Sequence, residues 1–144
     1  MFEFENLGKY RENNQIEAKK ATGGLPDSIW ETYSAFANTE GGIILLGVIE
    51  TADKSLQAID LPDPEGLIMD FWAMVNDPDI ASANILSDKN VTMEIIDGKT
   101  IVAITVPKAP PEDQPVYVYG DLMHGTYIRR GEGDFRCDHK QIHK

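Results

Sequence analysis

Apolar and polar positions change period several times along this 144-residue chain, and each change marks an expected element. In "QIEAK" (15–19) the alternation predicts a short strand with Ile16 and Ala18 on one side and Glu17 and Lys19 on the other. Over 25–42, "LPDSIWETYSAFANTEGG", Ile29, Tyr33, Phe36 and Ala37 recur at helical spacing. Ser28 and Glu31 have capping-box spacing just after Pro26, and Gly41-Gly42 supplies the stop. "IILLGVI" (43–49) is continuous, rich in β-branched residues and too short for a helix, so it predicts one buried strand. "LPDPEG" (61–66) reads as a turn, and "LIMDFWAMVND" after it as a second helix ended by Pro78. Asp97-Gly98 between "VTMEII" and "KTIVAITV" is a hairpin signal. "PKAPPEDQP" reads as a loop, followed by short strands in "VYVYG" and "GTYIRRG". The sum is an α+β fold, a mixed β-sheet sandwiched with helices and ending in a β-hairpin region.

Length suits one domain, assigned to residues 1–136, with 137–144 as a tail or the start of a linker to a C-terminal region. The longest apolar run is far too short for a membrane helix, and the acidic N-terminus has no secretory pattern. The single cysteine, Cys137, suits a reducing compartment, so a cytoplasmic location is expected. The net charge of −11 argues against a polyanionic partner until its distribution is considered. Residues 21–88 hold 12 acids and one base, Lys54, leaving 12 acids and 12 bases in the two ends together. Bases cluster at Lys19-Lys20 and Arg129-Arg130, so meeting of the ends would create a local positive patch.

Candidate chemistry is concentrated in three places. Glu12 and Glu17 converge only if the chain bends between them, and Asn13-Asn14 is a suitable bend. Carboxylates forced together repel unless a cation or proton intervenes, and Mg²⁺ or Mn²⁺ prefer such oxygen ligands. The alternative is ordinary solvated surface. In "NTEGG", Asn38, Thr39, Gly41 and Gly42 would permit close approach of a backbone or ligand, and Glu50 follows the central strand. In "YIRRGEGDF", arginine could grip phosphate, although strand alternation turns only one of Arg129 and Arg130 inward. Cys137, His139 and His143 match no zinc spacing, and Walker and dinucleotide patterns are absent.

In order, "ENNQIEAKKA", "SAFANTEGGIILLGVIE", "AITVP" and "GTYIRRGEGDF" resemble the Schlafen AlbA-type domain, also called the divergent AAA domain. The resemblance spans nearly the whole chain. It implies a bacterial transcriptional regulator's N-terminal domain, followed in a parent chain by a C-terminal region. It also implies contact with DNA or RNA, here through Lys19, Lys20, Arg129 and Arg130. From vertebrate members comes a second implication, a divalent-metal ribonuclease site, whose carboxylates correspond to Glu12, Glu17 and Glu50. Glu50 stands where that family site has aspartate, which lengthens one arm. A third reading is an assembly or ligand-sensing module, a homo-oligomer that makes no nucleic-acid contact.

Overall fold

The computed structural model describes residues 2–142. Its centre is a four-stranded sheet of β1 (Ile16–Lys19), β2 (Gly42–Leu46), β5 (Val91–Ile96) and β6 (Lys99–Val106), in the order β1-β2-β6-β5. β1 runs parallel to β2; the other two pairings are antiparallel. The parallel pair requires a crossover, supplied by α1 (Ile29–Asn38). α1 and α2 (Pro64–Val75) belong to one face, where Trp30, Phe36 and Phe71 join Ile44, Leu46, Val102 and Ile104 in the larger core. The opposite face packs Leu7, Ile43, Leu45, Val48, Leu56 and Ile101. Alternation along β2 and β6 thus feeds both cores, which is the physical content of the mixed sandwich expected from the pattern.

The "IILLGVI" run is not one strand. β2 stops at Leu46, and Val48–Glu50 forms β3, which pairs with β4 (Leu56–Ala58) in a separate hairpin. Gly47 makes the break: its φ is +87°, and an added Cβ would lie 2.7 Å from Leu61 Cγ. A periodicity argument cannot see this corner, because hydrophobicity continues through it. The consequence is functional, since the corner carries Glu50 out of the sheet.

α2 starts earlier than expected, at Pro64, because Asp63 accepts a hydrogen bond from the Gly66 amide (3.0 Å). The capping box expected at Ser28 does not form: Ser28 already has helical φ and ψ, and its hydroxyl accepts from Lys19 Nζ (3.1 Å). Asp97 and Gly98 both have positive φ, as a two-residue β5–β6 turn requires. "VYVYG" makes isolated bridges, Tyr117 to Thr126 and Val118 to Ala81, instead of a strand. β7 (Tyr127–Arg130) pairs with β8 (Gly133–Arg136), giving the C-terminal hairpin. Cys137 is no tail residue: it is buried, and its amide donates to Thr126 O (2.8 Å). A single turn, α3 (His139–Ile142), follows, while His143 lies outside the described residues.

Candidate functional site

The site is assembled from the end of α1 outward. Asn38 donates to Val116 O (2.8 Å) and Tyr127 O (3.0 Å) and accepts from Val116 N (2.7 Å). Thr39 Oγ1 accepts from the Arg129 amide (2.9 Å). These two residues therefore fix β7 to the helix. The close approach expected at "NTEGG" is made by the protein's own chain: a Cβ on Gly42 would sit 2.8 Å from the Phe36 ring, and one on Gly41 2.7 Å from Val106 O.

Held there, β7 directs Arg129 into the protein, where its side chain has no exposed area. The guanidinium donates to Asn13 O, Ile16 O, Glu17 Oε1 (2.9 Å) and Asp134 Oδ1 (2.7 Å), and lies 4.9 Å above the Phe36 ring. Burial of a guanidinium is costly without such partners, and two carboxylates and two carbonyls supply them. Arg129 is thus a strut and no surface phosphate ligand. Arg130, next along the strand, is exposed, as alternation requires. Lys19 is also drawn in, with Glu17 Oε2 at 3.7 Å and the Ser28 hydroxyl beyond, whereas Lys20 stays exposed. Of the four bases expected to form one patch, two face solvent.

The bend anticipated at Asn13-Asn14 is present. Asn13 Oδ1 accepts from the Gln15 amide (2.7 Å), and Asn13 and Ile16 exchange backbone hydrogen bonds. Glu12 therefore folds back along β1, and its Oε2 accepts from the Ala18 amide (2.9 Å). The same bend brings Glu12 beside Glu17 and Glu50. Burial pushes the Glu12 carboxyl up to about 7, against the pull of the Ala18 amide; the charges of Glu17 and Glu50 and a hydrogen bond with Glu17 push it further.

Carboxylate oxygens of Glu12, Glu50 and Glu132 lie within 4.8 Å of one another. Glu132 sits in the β7–β8 turn and was not among the carboxylates picked out from the sequence. Within "RRGEGDF" it looks like an ordinary hairpin-tip acid, and only pairing of β7 with β8 aims it at Glu12. Glu17, by contrast, is held by Arg129 and Lys19 at the inner side of the cluster. Lys54 borders the outer side, 3.4 Å from Glu50.

Comparison with known proteins agrees with this architecture. The family profile described as Schlafen, AlbA_2 matches residues 12–138. The N-terminal domain of a RecG-related protein from Nitrosomonas europaea is 28% identical, with a TM-score of 0.70, covering 95% of this chain and 94% of that one. The DIP2311 protein from Corynebacterium diphtheriae shares the fold at 18% identity and a TM-score of 0.58; the match covers 90% of this chain but 23% of that one. Among curated proteins, none matches. Among the described residues, no helix is long and apolar enough to cross a membrane.

Proposed function

Because the chain belongs to the Schlafen AlbA_2 family, associated with nucleic-acid-related proteins, we propose that it engages nucleic-acid phosphate through a divalent cation at Glu12, Glu50 and Glu132. The observation that carries this reading is the convergence of those three carboxylates beside a fourth, Glu17, in a chain whose nearby bases are partly spent internally. The donor set fits a hard cation. Oxygens within 4.8 Å of one another can share an ion whose bonds are about 2.0–2.6 Å, and all are carboxylates, as Mg²⁺ or Mn²⁺ prefers. When bound, such an ion supplies positive charge to a phosphate in an otherwise acidic region. Glu12, Glu50 and Glu132 would hold it. Glu17, fixed by Arg129, orients Glu12, and the exposed Lys20 and Arg130 are free for further backbone contacts. A DNA-binding role within a cytoplasmic transcriptional regulator is the form of this proposal that the family resemblance favours.

The test is thermal unfolding against MnCl₂. Saturating ion at about a hundred times Kd stabilises a folded protein by about 2.7 kcal/mol, so Tm should climb and level off. Glu12→Gln and Glu132→Gln should each flatten the curve. An unchanged wild-type Tm in millimolar Mn²⁺ would sink the reading.

A second reading is phosphodiester cleavage, favoured by one observation: the carboxylates of Glu12, Glu50 and Glu132 converge closely enough to share a divalent ion, which could activate a water for attack on phosphate. Labelled structured RNA and a DNA duplex, each incubated with Mn²⁺ or EDTA, distinguish the two. Ion-dependent RNA cleavage lost in Glu12→Gln identifies a ribonuclease; ion-dependent retention of intact strands identifies a binding domain.

A further inference from the structure

The two edges of the central sheet are treated differently. At the β1 edge, the Ala18 amide is taken by Glu12 and the Ile16 carbonyl by Arg129. At the β5 edge the Val91 amide is taken by Asp88 O, and among the described residues no hydrogen bond reaches any backbone group of Thr92–Ile96 outside the β5–β6 ladder. β5 has no proline and no lysine along its length, and its one charge is Glu94. Its side chains run the other way: Ile95 is 75% and Met93 47% exposed. Cross-strand register puts Met93 opposite Val102 and Val91 opposite Ile104, both in the larger core, so this strip extends that core to the rim of the sheet.

We propose that β5 is the pairing edge for a second copy of this chain, joining two four-stranded sheets into one of eight strands about a two-fold axis at Met93. The geometry limits the register. The two-residue Asp97-Gly98 turn makes Ile96 and Lys99 a hydrogen-bonded pair, so Ile96, Glu94 and Thr92 point their backbone groups at β6. Val91, Met93 and Ile95 therefore point theirs outward. An antiparallel copy can pair these three with their counterparts in few ways. Shifting so that Met93 faces Ile95 of the second copy sets Glu94 directly against its own equivalent, a like-charge pair. Centring on Met93 avoids this. Val91 then faces Ile95, Met93 faces Met93, and Glu94 faces Thr92. This one register pairs all three residues of the apolar strip and the outward groups of Met93 and Ile95 with their own counterparts and opposes no like charges, which is why the occupant is a second copy and not an unrelated strand.

The contact is small, so assembly depends on concentration. Each copy carries −11, so added salt should strengthen association, opposite in sign to phosphate binding. Sedimentation velocity over a concentration series should show wild type rising from 16.0 kDa toward twice that mass, and Ile95→Lys remaining at 16.0 kDa with an unchanged far-UV spectrum. The register is read separately, in a Cys137→Ser background. A hydrogen-bonded antiparallel pair has Cα atoms about 5.5 Å apart, within disulfide reach. Oxidation should therefore crosslink Met93→Cys to its equivalent, leaving Glu94→Cys largely uncrosslinked. A wild type that stays monomeric at every concentration and salt overturns the proposal. So does a dimer that survives Ile95→Lys, or crosslinking that favours Glu94→Cys. None of these readouts depends on the carboxylate site.

Discussion

At the scale of single residues, Glu12 shows how placement changes chemistry. An ordinary glutamate is ionised well below neutrality, but burial beside Glu17 and Glu50 raises this one to about 7. The sign of the linkage follows. Between the usual value of 4.5 and about 7 the folded protein holds a proton that the unfolded chain has released, so stability falls as pH rises through that window. Glu12→Gln keeps an acceptor for the Ala18 amide and removes the charge. In EDTA its Tm should exceed wild type by about 3 °C at pH 8, and the gap should close near pH 4.5. Thermal melts at the two pH values check this. Saturating Mn²⁺ should reverse the order at pH 8, because the ion favours the ionised carboxylate. The bend that permits all this was legible in Asn13-Asn14; the identity of the partners was not, since Glu132 is more than a hundred residues away.

Among the elements, the β2–β3 corner is the place where sequence pattern and structure part. Six apolar residues around a glycine imply one strand, yet Gly47 divides them between two sheets, giving Val48 and Ile49, with Glu50 after them, to a hairpin with β4. Gly47→Ala should cost about 2–3 kcal/mol, combining a positive-φ backbone with a clash against Leu61, as urea denaturation would measure. It should also weaken the Mn²⁺ response, because Glu50 depends on the corner. The helices were more readable, α1 from its apolar spacing and α2 from the apolar residues of "LIMDFWAMVND", although its capped first turn at Asp63-Pro64 was read as part of a turn. Ser28 misled because a capping residue needs extended backbone, and here the hydroxyl was drawn to Lys19 instead.

Across the whole molecule, Arg129 joins what the chain order separates. It ties the β7–β8 hairpin to the Asn13 bend, to β1 and to Asp134, and its ring contact reaches α1. Arg129→Met should lose about 3–5 kcal/mol, since Glu17 and Asp134 would remain partly buried with no counter-charge, and denaturant unfolding would show it. Arg129→Lys should recover little, because one ammonium cannot span the same partners.

Local pattern alone determined the α+β class, the β5–β6 hairpin, the α1 stripe and the inward turn of one arginine in the Arg129-Arg130 pair, because alternation, helical spacing and turn chemistry act between near neighbours. Tertiary structure alone decided which arginine turned in, that Lys19 followed it, and that Glu132 joined Glu12 and Glu50. Those outcomes depend on pairing between distant segments, and the burial that sets their energies does not exist until the ends of the chain have met.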